Sequence, residues 1–336
     1  MSAHAVAQSL LESDEPSIRF KIRTGFFGED PDSKSIRALR NEIRNSKLVA
    51  SLLRRRGSDG ELRANVYAKW QGAHWVMATL ADIGYPAGDE SLVPMRDQVQ
   101  NHWLDEQFFR EFVAISRGQA YARDGVPVMQ GRHRRCASQQ ANALWSILRL
   151  GLANDRTHEF VGRLLHWQWP DGGWNCDKNP HASHSSFMES ILPLRALACY
   201  GTLRDHTPSL EAAKRASEVF LRRNMYLRES DGSITRDEFA ELHYPLYWHY
   251  DILHGLKIMA EAGFIGDKRC RAALDLLASK ELPGGGWAAE RKHYKAATEI
   301  NLGNDYVDWG GTSQVRMNPW VTADALLVLK AAGYIK

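Results

Sequence analysis

The chain has 336 residues, and its 43 lysines and arginines stand against 40 aspartates and glutamates, which leaves a net charge of +3. Hydrophobic residues make up 44% and charged residues 25%, values that are typical of a globular protein and exclude a mainly disordered chain. The small net charge does not indicate a nucleic-acid partner. Four scattered cysteines favour reduced thiols and a cytoplasmic location.

Residues 1–34 show neither the basic leader nor the apolar core of a secretory signal. No apolar run approaches the roughly 20 residues that cross a bilayer, so we expect no integral membrane segment, while peripheral membrane contact stays open. Acidic residues and prolines recur between Glu12 and Asp32. We therefore predict that residues 1–34 form an irregular lead-in, and that a first helix covers residues 35–56.

A repeated pattern organises residues 35–336. Five apolar helical runs each end in an apolar residue and a glycine, at Gly84, Gly151, Gly201, Gly263 and Gly333. Glycine at that place suits a left-handed helix C-cap. A second, more polar helix and a glycine-rich turn follow most of these runs. The pattern predicts an all-α fold, in which alternating inner and outer helices close into one α/α toroid domain over residues 35–336.

A polar and aromatic segment precedes the first inner helix. Tyr67, Trp70 and His74 fall on one helical face, and they could contact a substrate in a central cavity. An aromatic stripe of this kind is equally typical of a packed core helix. The segment before the next inner helix is basic and contains Arg134 and Arg135. Guanidinium groups bind phosphate, diphosphate or carboxylate, although a solvent-exposed loop explains these residues as well.

The segment that leads to the third inner helix contains Asp177, His181 and His184. Carboxylate and imidazole groups serve as general acids and bases, and histidines three residues apart on a helix can share a metal ion. The alternative is helix capping, since Ser186 and Glu189 are spaced as a capping box.

Aromatic and ionisable residues alternate before the fourth inner helix. Tyr247 and Asp251 fall on one helical face, and Trp248 and His249 lie beside it. Aromatic rings with a carboxylate or imidazole can hold an apolar or cationic species, although such a stripe is also typical of a core helix. The long loop 291–317, with Trp309, precedes the last inner helix and should lie at the same mouth of the ring as the other segments.

The sequence from Trp167 to Trp174, Trp-Gln-Trp-Pro-Asp-Gly-Gly-Trp, resembles the QW motif of the terpenoid cyclase and protein prenyltransferase superfamily, and residues 281–287 look like a degenerate second copy. Residues 172–177, 184–187 and 248–251 are similar to a poorly characterised bacterial branch labelled squalene-cyclase-like. The resemblance implies an α/α toroid around a central cavity. Two departures are visible: the Asp-x-Asp-Asp acid of the cyclases is absent, and the zinc ligands of the prenyltransferases are not retained.

From this resemblance and the residues above, we expect a terpene-cyclase-like enzyme that uses acid–base chemistry on a hydrophobic or isoprenoid-like small molecule and needs no cofactor. The candidate catalytic residues are Asp177, His184, His249 and Asp251. The candidate substrate-binding residues are Tyr67, Trp70, His74, Arg134, Arg135, Tyr247, Trp248 and Trp309. One alternative is a metal-assisted hydrolase or lyase, including a carbohydrate-active α/α barrel, with a divalent ion on His181, His184 and His243. Another is a toroid that binds a partner without catalysis.

Overall fold

The structure, a computed structural model, describes residues 2–336. These residues contain fourteen α-helices, which are α1 (Ala3–Leu10), α2 (Pro16–Lys21), α3 (Lys34–Arg44), α4 (Lys47–Leu52), α5 (Ala73–Asp82), α6 (Val93–Trp103), α7 (Arg117–Tyr121), α8 (Ala137–Arg149), α9 (Thr157–Trp167), α10 (Phe187–Arg204), α11 (Thr207–Leu221), α12 (Ile252–Glu261), α13 (Arg271–Ser279) and α14 (Pro319–Ala331). A π-helical turn, Ile22–Phe26, extends α2. Short strands lie in the loops: β1 (Glu111–Val113), β2 (Val126–Met129), β3 (Arg132–His133), β4 (Lys295–Ala296) and β5 (Asn304–Asp305).

Six of the helices form a closed inner ring, in the order α2, α5, α8, α10, α12 and α14. Each of α5, α8, α10 and α12 packs on the next helix in this order, and α14 packs on α2 and its π-helical extension. The remaining contact is made by α2, because Lys21 lies 3.0 Å from Asp82 at the end of α5. The predicted α/α toroid is therefore confirmed.

An outer helix backs each inner helix. The pairs are α1 on α14, α3 on α2, α6 on α5, α9 on α8, α11 on α10, and α13 on α12. The first helix of the chain thus covers the last one, and this contact holds the two ends of the ring together.

The expected irregular lead-in contains two of these ring helices. In α1, Val6, Ala7 and Leu10 are buried, and in α2 the side chain of Glu15 caps a helix that starts at Pro16. The acidic residues and prolines mark the ends of these short helices, and the apolar residues between them form the buried stripes. The helix expected at 35–56 is in fact two helices, α3 and α4, because the hydroxyl of Ser46 accepts from the N–H of Val49 and starts α4.

The glycine-rich turns have the same hydrogen bonds in two repeats. The indole N–H of Trp174 donates to the carbonyl of Leu164 at 2.9 Å, and that of Trp287 donates to the carbonyl of Leu277 at 2.7 Å. In each case the acceptor lies ten residues earlier, in the preceding outer helix. Both tryptophans are buried, so each fills the gap between an outer helix and the next inner helix.

The connections between the helices are unequal in length. Five connections from an outer to an inner helix are long, and they cover residues 53–72, 104–136, 168–186, 222–251 and 280–318. The connection from α1 to α2, residues 11–15, is short, and so are those from an inner to an outer helix. The long loops meet where the inner helices begin, and we call this end of the ring the N-terminal face. The loop 291–317 lies at the N-terminal face, since the backbone N–H of Trp70 donates to the backbone carbonyl of Asn304.

Among residues 2–336, no helix has both the length and the hydrophobicity that a membrane crossing requires.

Candidate functional site

The centre of the ring contains a network of buried charges. The ammonium groups of Lys21 and Lys257 each bridge the carboxylates of Asp82 and Asp324, at distances between 2.6 and 3.0 Å. Arg195 extends the network, because its guanidinium lies 3.7 Å from Asp82. We call these five residues the ring-centre network. They come from five of the six inner helices.

The sixth inner helix, α8, joins the network through an aromatic ring. The guanidinium carbon of Arg195 lies 3.4 Å from the ring centroid of Trp145, and its Nε lies 2.6 Å from Glu261. Every inner helix therefore contributes a side chain to the centre of the toroid. The pairing of the charges makes their burial tolerable, because an unpaired ion in this position would be costly.

The charges also fix their own protonation states. Burial by itself would raise the pKa of Asp82, but Lys21, Lys257 and Arg195 outweigh it and hold that pKa well below its ordinary value. Burial would lower the pKa of Lys257, and Asp324 and Asp82 raise it instead. Asp82 and Lys257 therefore stay ionised at neutral pH, and the Asp82 carboxylate has no proton to donate.

A cavity of about 400 Å³ lies above the network and is lined by residues near the C-terminal ends of the inner helices. Its walls include Phe20, Trp145, Leu203 and Leu327, and its polar lining includes all five residues of the ring-centre network. The expected aromatic cavity for a hydrophobic molecule is therefore not supported. The inner helices place ionised side chains at the centre of the ring, and the candidate aromatic residues from the long loops lie at the other end.

At the N-terminal face, three histidines come together. One ring nitrogen from each of His243, His249 and His293 lies within 4.8 Å of the others. His243 and His249 come from the loop before α12, and His293 comes from the loop before α14. The side chains of His249 and His293 are partly exposed, while that of His243 is buried. We call these residues the three-histidine cluster.

Asp251 fixes one member of this cluster. As the N-cap of α12, its carboxylate accepts from the N–H groups of His254 and His243, at 2.7 and 2.8 Å. The same carboxylate lies 2.6 Å from Nδ1 of His243. Burial would lower the pKa of His243, but Asp251 outweighs it and raises that pKa. Asp251 is fully buried, so it has no direct access to a substrate, and it contacts the three-histidine cluster at His243.

The other two histidines are stacked face to face. The ring centroids of His249 and His293 are 3.4 Å apart with an interplanar angle of 8°, and Trp248 stacks on His249 at 4.1 Å. Burial and the neighbouring His293 lower the pKa of His249 to about 2, and burial lowers the pKa of His293 to about 4. Both imidazoles are neutral at physiological pH, which is the form that binds metal ions.

Aromatic residues surround the cluster and close the end of the ring. Trp70 stacks on Tyr247 with ring centroids 3.7 Å apart, and its indole N–H donates to the carbonyl of His293 at 2.8 Å. The hydroxyl of Tyr247 donates to Asp305, and the indole N–H of Trp309 donates to the same carboxylate at 2.9 Å. Trp70, Tyr247 and Trp309 are buried, so they support the loops.

The structure does not bring Asp177, His181 and His184 into this cluster. All three side chains are exposed in the loop before α10. The Asp177 carboxylate accepts from the backbone N–H of Asn179 at 2.8 Å. The backbone carbonyl of His184 accepts from the side-chain amide of Asn175. His243 therefore has His249 and His293 as its neighbours, and the expected grouping of His181, His184 and His243 is absent from residues 2–336.

His74 is completely buried. The indole N–H of Trp103 donates to Nδ1 of His74 at 3.1 Å, and the amide of Asn142 lies 3.2 Å from Nε2. Tyr67 packs on the rings of His74 and Trp75. These contacts fill the core beneath the N-terminal face and leave His74 no access to a ligand.

The two arginines of the basic loop pack on aromatic rings. The guanidinium of buried Arg134 lies 4.5 Å from the ring centroid of Trp169, and that of Arg135 lies 4.7 Å from Phe108. Neither arginine forms a salt bridge within residues 2–336. Nη2 of Arg134 donates to the carbonyl of Pro180 at 3.5 Å, whereas Nε and Nη2 of Arg135 have no hydrogen-bond partner in residues 2–336.

Sequence reasoning did not single out His293 or the ring-centre network. A signal for the network exists, because Arg195 and Lys257 each interrupt an apolar run six residues before its closing glycine. A charge inside an inner helix can only be buried with a partner, which predicts ionic contacts at the centre. His293 has no comparable signal, since its loop acquires a position only through contacts with Trp70 and His249.

Comparisons with known proteins give little beyond this architecture. No family model matches the chain, and no curated protein matches it. Among solved structures, the chain is similar to one described as "the crystal structure of a possible member of GH105 family" from Salmonella enterica subsp. enterica serovar Paratyphi A. The two share 10% sequence identity, with 99% of this chain and 93% of that chain covered and a TM-score of 0.45.

The expected membership of the terpenoid cyclase and protein prenyltransferase superfamily is therefore wrong. No family model matches the chain, and this includes the models of that superfamily. The physical reason lies in the motif itself. A glycine turn followed by a tryptophan that bonds back to the outer helix, as at Trp174 and Trp287, is a way to join two helices, and it can serve any toroid.

Proposed function

We propose that this protein is a metal-dependent hydrolase or lyase, with its ion bound by His243, His249 and His293. The observation that carries the proposal is the approach of three imidazole nitrogens within 4.8 Å, on the face where all the long loops meet. Functional residues are concentrated on loops that a rigid scaffold positions, and the closed ring of inner helices is such a scaffold.

The donor set suits a borderline ion such as Zn²⁺. Three histidines with a fourth position open to water are a common catalytic arrangement, in which the ion lowers the pKa of its bound water to about 7. Zinc–nitrogen distances near 2.0 Å place tetrahedral donors roughly 3.3 Å apart. The stacked rings of His249 and His293 therefore have to tilt apart for their nitrogens to converge on one ion.

Asp251 would act as a positioning residue for this ion. Its carboxylate lies 2.6 Å from Nδ1 of His243, while Nε2 faces the carbonyl of Leu246 at 3.4 Å, so an ion on Nε2 would replace that contact. Carboxylates behind metal-binding histidines fix the ring orientation and raise the basicity of the ligand. His254 adds support from the same helix, since its Nδ1 lies 2.7 Å from the carbonyl of His249.

Lys69 lies close enough to contact a bound substrate. Its ammonium is 4.9 Å from the ring centroid of Trp248, the residue that stacks on His249. Burial lowers the pKa of Lys69. A cation in this position can hold an anionic group of a substrate or stabilise negative charge that develops near the ion.

The class includes carbohydrate-active α/α barrels, and the structure bears on how such an enzyme would work here. Most glycosidases use a carboxylic acid and a carboxylate as a pair. Lys21 and Lys257 hold the carboxylate of Asp82 and keep its pKa well below its ordinary value, so Asp82 does not supply this acid. At the N-terminal face, His243, His249 and His293 would hold the ion, and the ion would supply an activated water for such a reaction.

The test combines metal analysis with activity. Purified protein that is loaded with Zn²⁺ and freed of excess ion should retain about one equivalent more than His293→Ala treated in the same way. His158→Ala is the matched control, because His158 is exposed on α9 and outside the cluster. Activity is measured on nitrophenyl esters, phosphodiesters and glycosides, and on uronate polymers for elimination.

Turnover of at least one probe should need the ion and disappear in His293→Ala. Equal Zn²⁺ content in wild type and His293→Ala would overturn the metal centre. Zinc at the three-histidine cluster without turnover of any probe would overturn the proposal that the protein is an enzyme. Asp251→Asn separates positioning from folding, since asparagine also caps helices well. We expect this variant to fold and to bind Zn²⁺ about 10–100-fold more weakly.

A further inference from the structure

A second group of metal-binding side chains lies on the N-terminal face, and the proposed function does not use it. Cys136 immediately precedes α8, Cys176 lies in the loop before α10, and Glu189 is in the first turn of α10. One ligand atom from each lies within 4.8 Å of the other two. Sγ of Cys176 is 3.4 Å from Oε1 of Glu189.

The three groups are all acids, and they are partly shielded from water. The adjacent thiol of Cys136, together with burial, raises the pKa of Cys176. Burial raises the pKa of Glu189, although the Ser138 N–H donates to its carboxylate at 3.1 Å. Both shifts favour the protonated forms of Cys176 and Glu189 when no cation is bound. Two thiols and a carboxyl group that crowd together in this way can all deprotonate if a divalent ion joins them.

Arg135 places a positive charge beside these three side chains. Its guanidinium lies on Phe108, and its Nε and Nη2 are buried without a hydrogen-bond partner in residues 2–336. Two thiolates and a carboxylate around a divalent ion carry a net charge of −1. The guanidinium, next in sequence to Cys136, would balance that charge, and this explains an unpaired cation at this place.

We infer that Cys136, Cys176 and Glu189 form a binding site for a thiophilic divalent cation such as Zn²⁺. Zinc–sulfur distances near 2.3 Å and zinc–oxygen distances near 2.0–2.2 Å place tetrahedral sulfur and oxygen donors roughly 3.5 Å apart. The observed 3.4 Å between Cys176 and Glu189 already meets this requirement. All three side chains are partly exposed, so an ion can enter from solvent and keep water as a fourth ligand.

Ion binding at this site is coupled to the loss of protons from its ligands. Each thiol and the carboxyl group lose a proton as the ion enters, so up to three protons are released per ion, and no oxidant or reductant takes part. The site is independent of the three-histidine cluster, because it shares no residue with it. Its donor atoms are sulfur and oxygen, whereas those of the three-histidine cluster are nitrogen.

Cobalt distinguishes the two sites. We would titrate the reduced full-length protein with Co²⁺ under nitrogen and record the near-ultraviolet spectrum, where thiolate-to-cobalt charge transfer absorbs and imidazole ligation does not. Wild type should develop this band by about two equivalents of Co²⁺, which fill both sites, and Cys176→Ala should lose it. Cys136→Ser should lose most of it, and it should fold because serine is a good helix N-cap.

Cys199→Ser is the matched control, because Cys199 is a half-buried thiol that lines the cavity at the other end of the ring. It should keep the full band, and Glu189→Gln should weaken Co²⁺ binding by at least about tenfold. His293→Ala should keep the band as well, so failure of the three-histidine cluster leaves this result intact. Absence of the band in wild type, or an unchanged band in folded Cys176→Ala, would overturn the site.

Discussion

Lys257 in α12 reaches across the ring to Asp82 in α5, and its ammonium lies 2.6 Å from that carboxylate. The two helices stand opposite each other in the ring of six, so the pair spans the toroid. Asp324 in α14 accepts from the same ammonium at 2.8 Å. The ends of the chain are joined in the same way, since Lys21 near the start bonds to Asp324 at 2.9 Å.

Removing the lysine should therefore destabilise the ring strongly. In Lys257→Met, two buried carboxylates lose one of their cations, and breaking a buried ion pair from one side costs about 3–5 kcal/mol. We expect a loss of this size in the free energy of unfolding, measured by chemical denaturation. Lys280→Met is the control, because Lys280 pairs with Glu290 in a more exposed position and should change stability by about 0–1 kcal/mol. Equal losses would contradict the structural role of the network.

The glycine turn before α10 offers a second test. Gly172 has a φ of +101°, and a Cβ there would collide with the carbonyl oxygen of Arg215. Strained backbone of this kind costs roughly 1–3 kcal/mol, so Gly172→Ala should lower the melting temperature by several degrees. Gly162 lies exposed within α9 with open space around it. Gly162→Ala should instead stabilise the protein by about 0.5–1 kcal/mol, and a similar loss in both variants would refute the turn's role.

Stability should depend on pH through His74. Burial lowers the pKa of His74 to about 3 in the folded protein, whereas an unfolded chain binds that proton near pH 6.5. As the pH falls below about 7, the unfolded state gains the proton first. Folding therefore loses stability until the pH reaches about 3. Between pH 7 and pH 5 this histidine alone should remove about 2 kcal/mol.

A substitution isolates the contribution of His74 from those of other histidines. His74→Gln keeps an amide beside Trp103 and Asn142 but does not titrate. We expect it to be less stable than wild type at pH 7 and to lose about 2 kcal/mol less between pH 7 and pH 5. His158→Gln, on the exposed face of α9, should retain the wild-type pH dependence in the same denaturation experiments. A wild-type slope in His74→Gln would show that His74 does not titrate as argued.

Parts of the candidate site could be predicted from the sequence. The aromatic and ionisable residues before α12 do lie on the N-terminal face, and His249 and Asp251 are both within reach of His243. Asp177 and His184 stay exposed in the loop before α10. Spacing along one helix predicts a shared side, but it does not determine whether that side meets solvent, a neighbouring helix or another loop.

The sequence by itself determined the alternation of inner and outer helices and the glycine turns between them, because apolar periodicity and glycine geometry are local properties of the chain. Only the tertiary structure decided which charges meet. Lys21 and Asp324 are 303 residues apart, yet they bond at the centre of the ring. Likewise, His293 joins His249 only because two long loops fold over the same end of the toroid. Such contacts depend on how the ring closes, and no short segment of sequence encodes that closure.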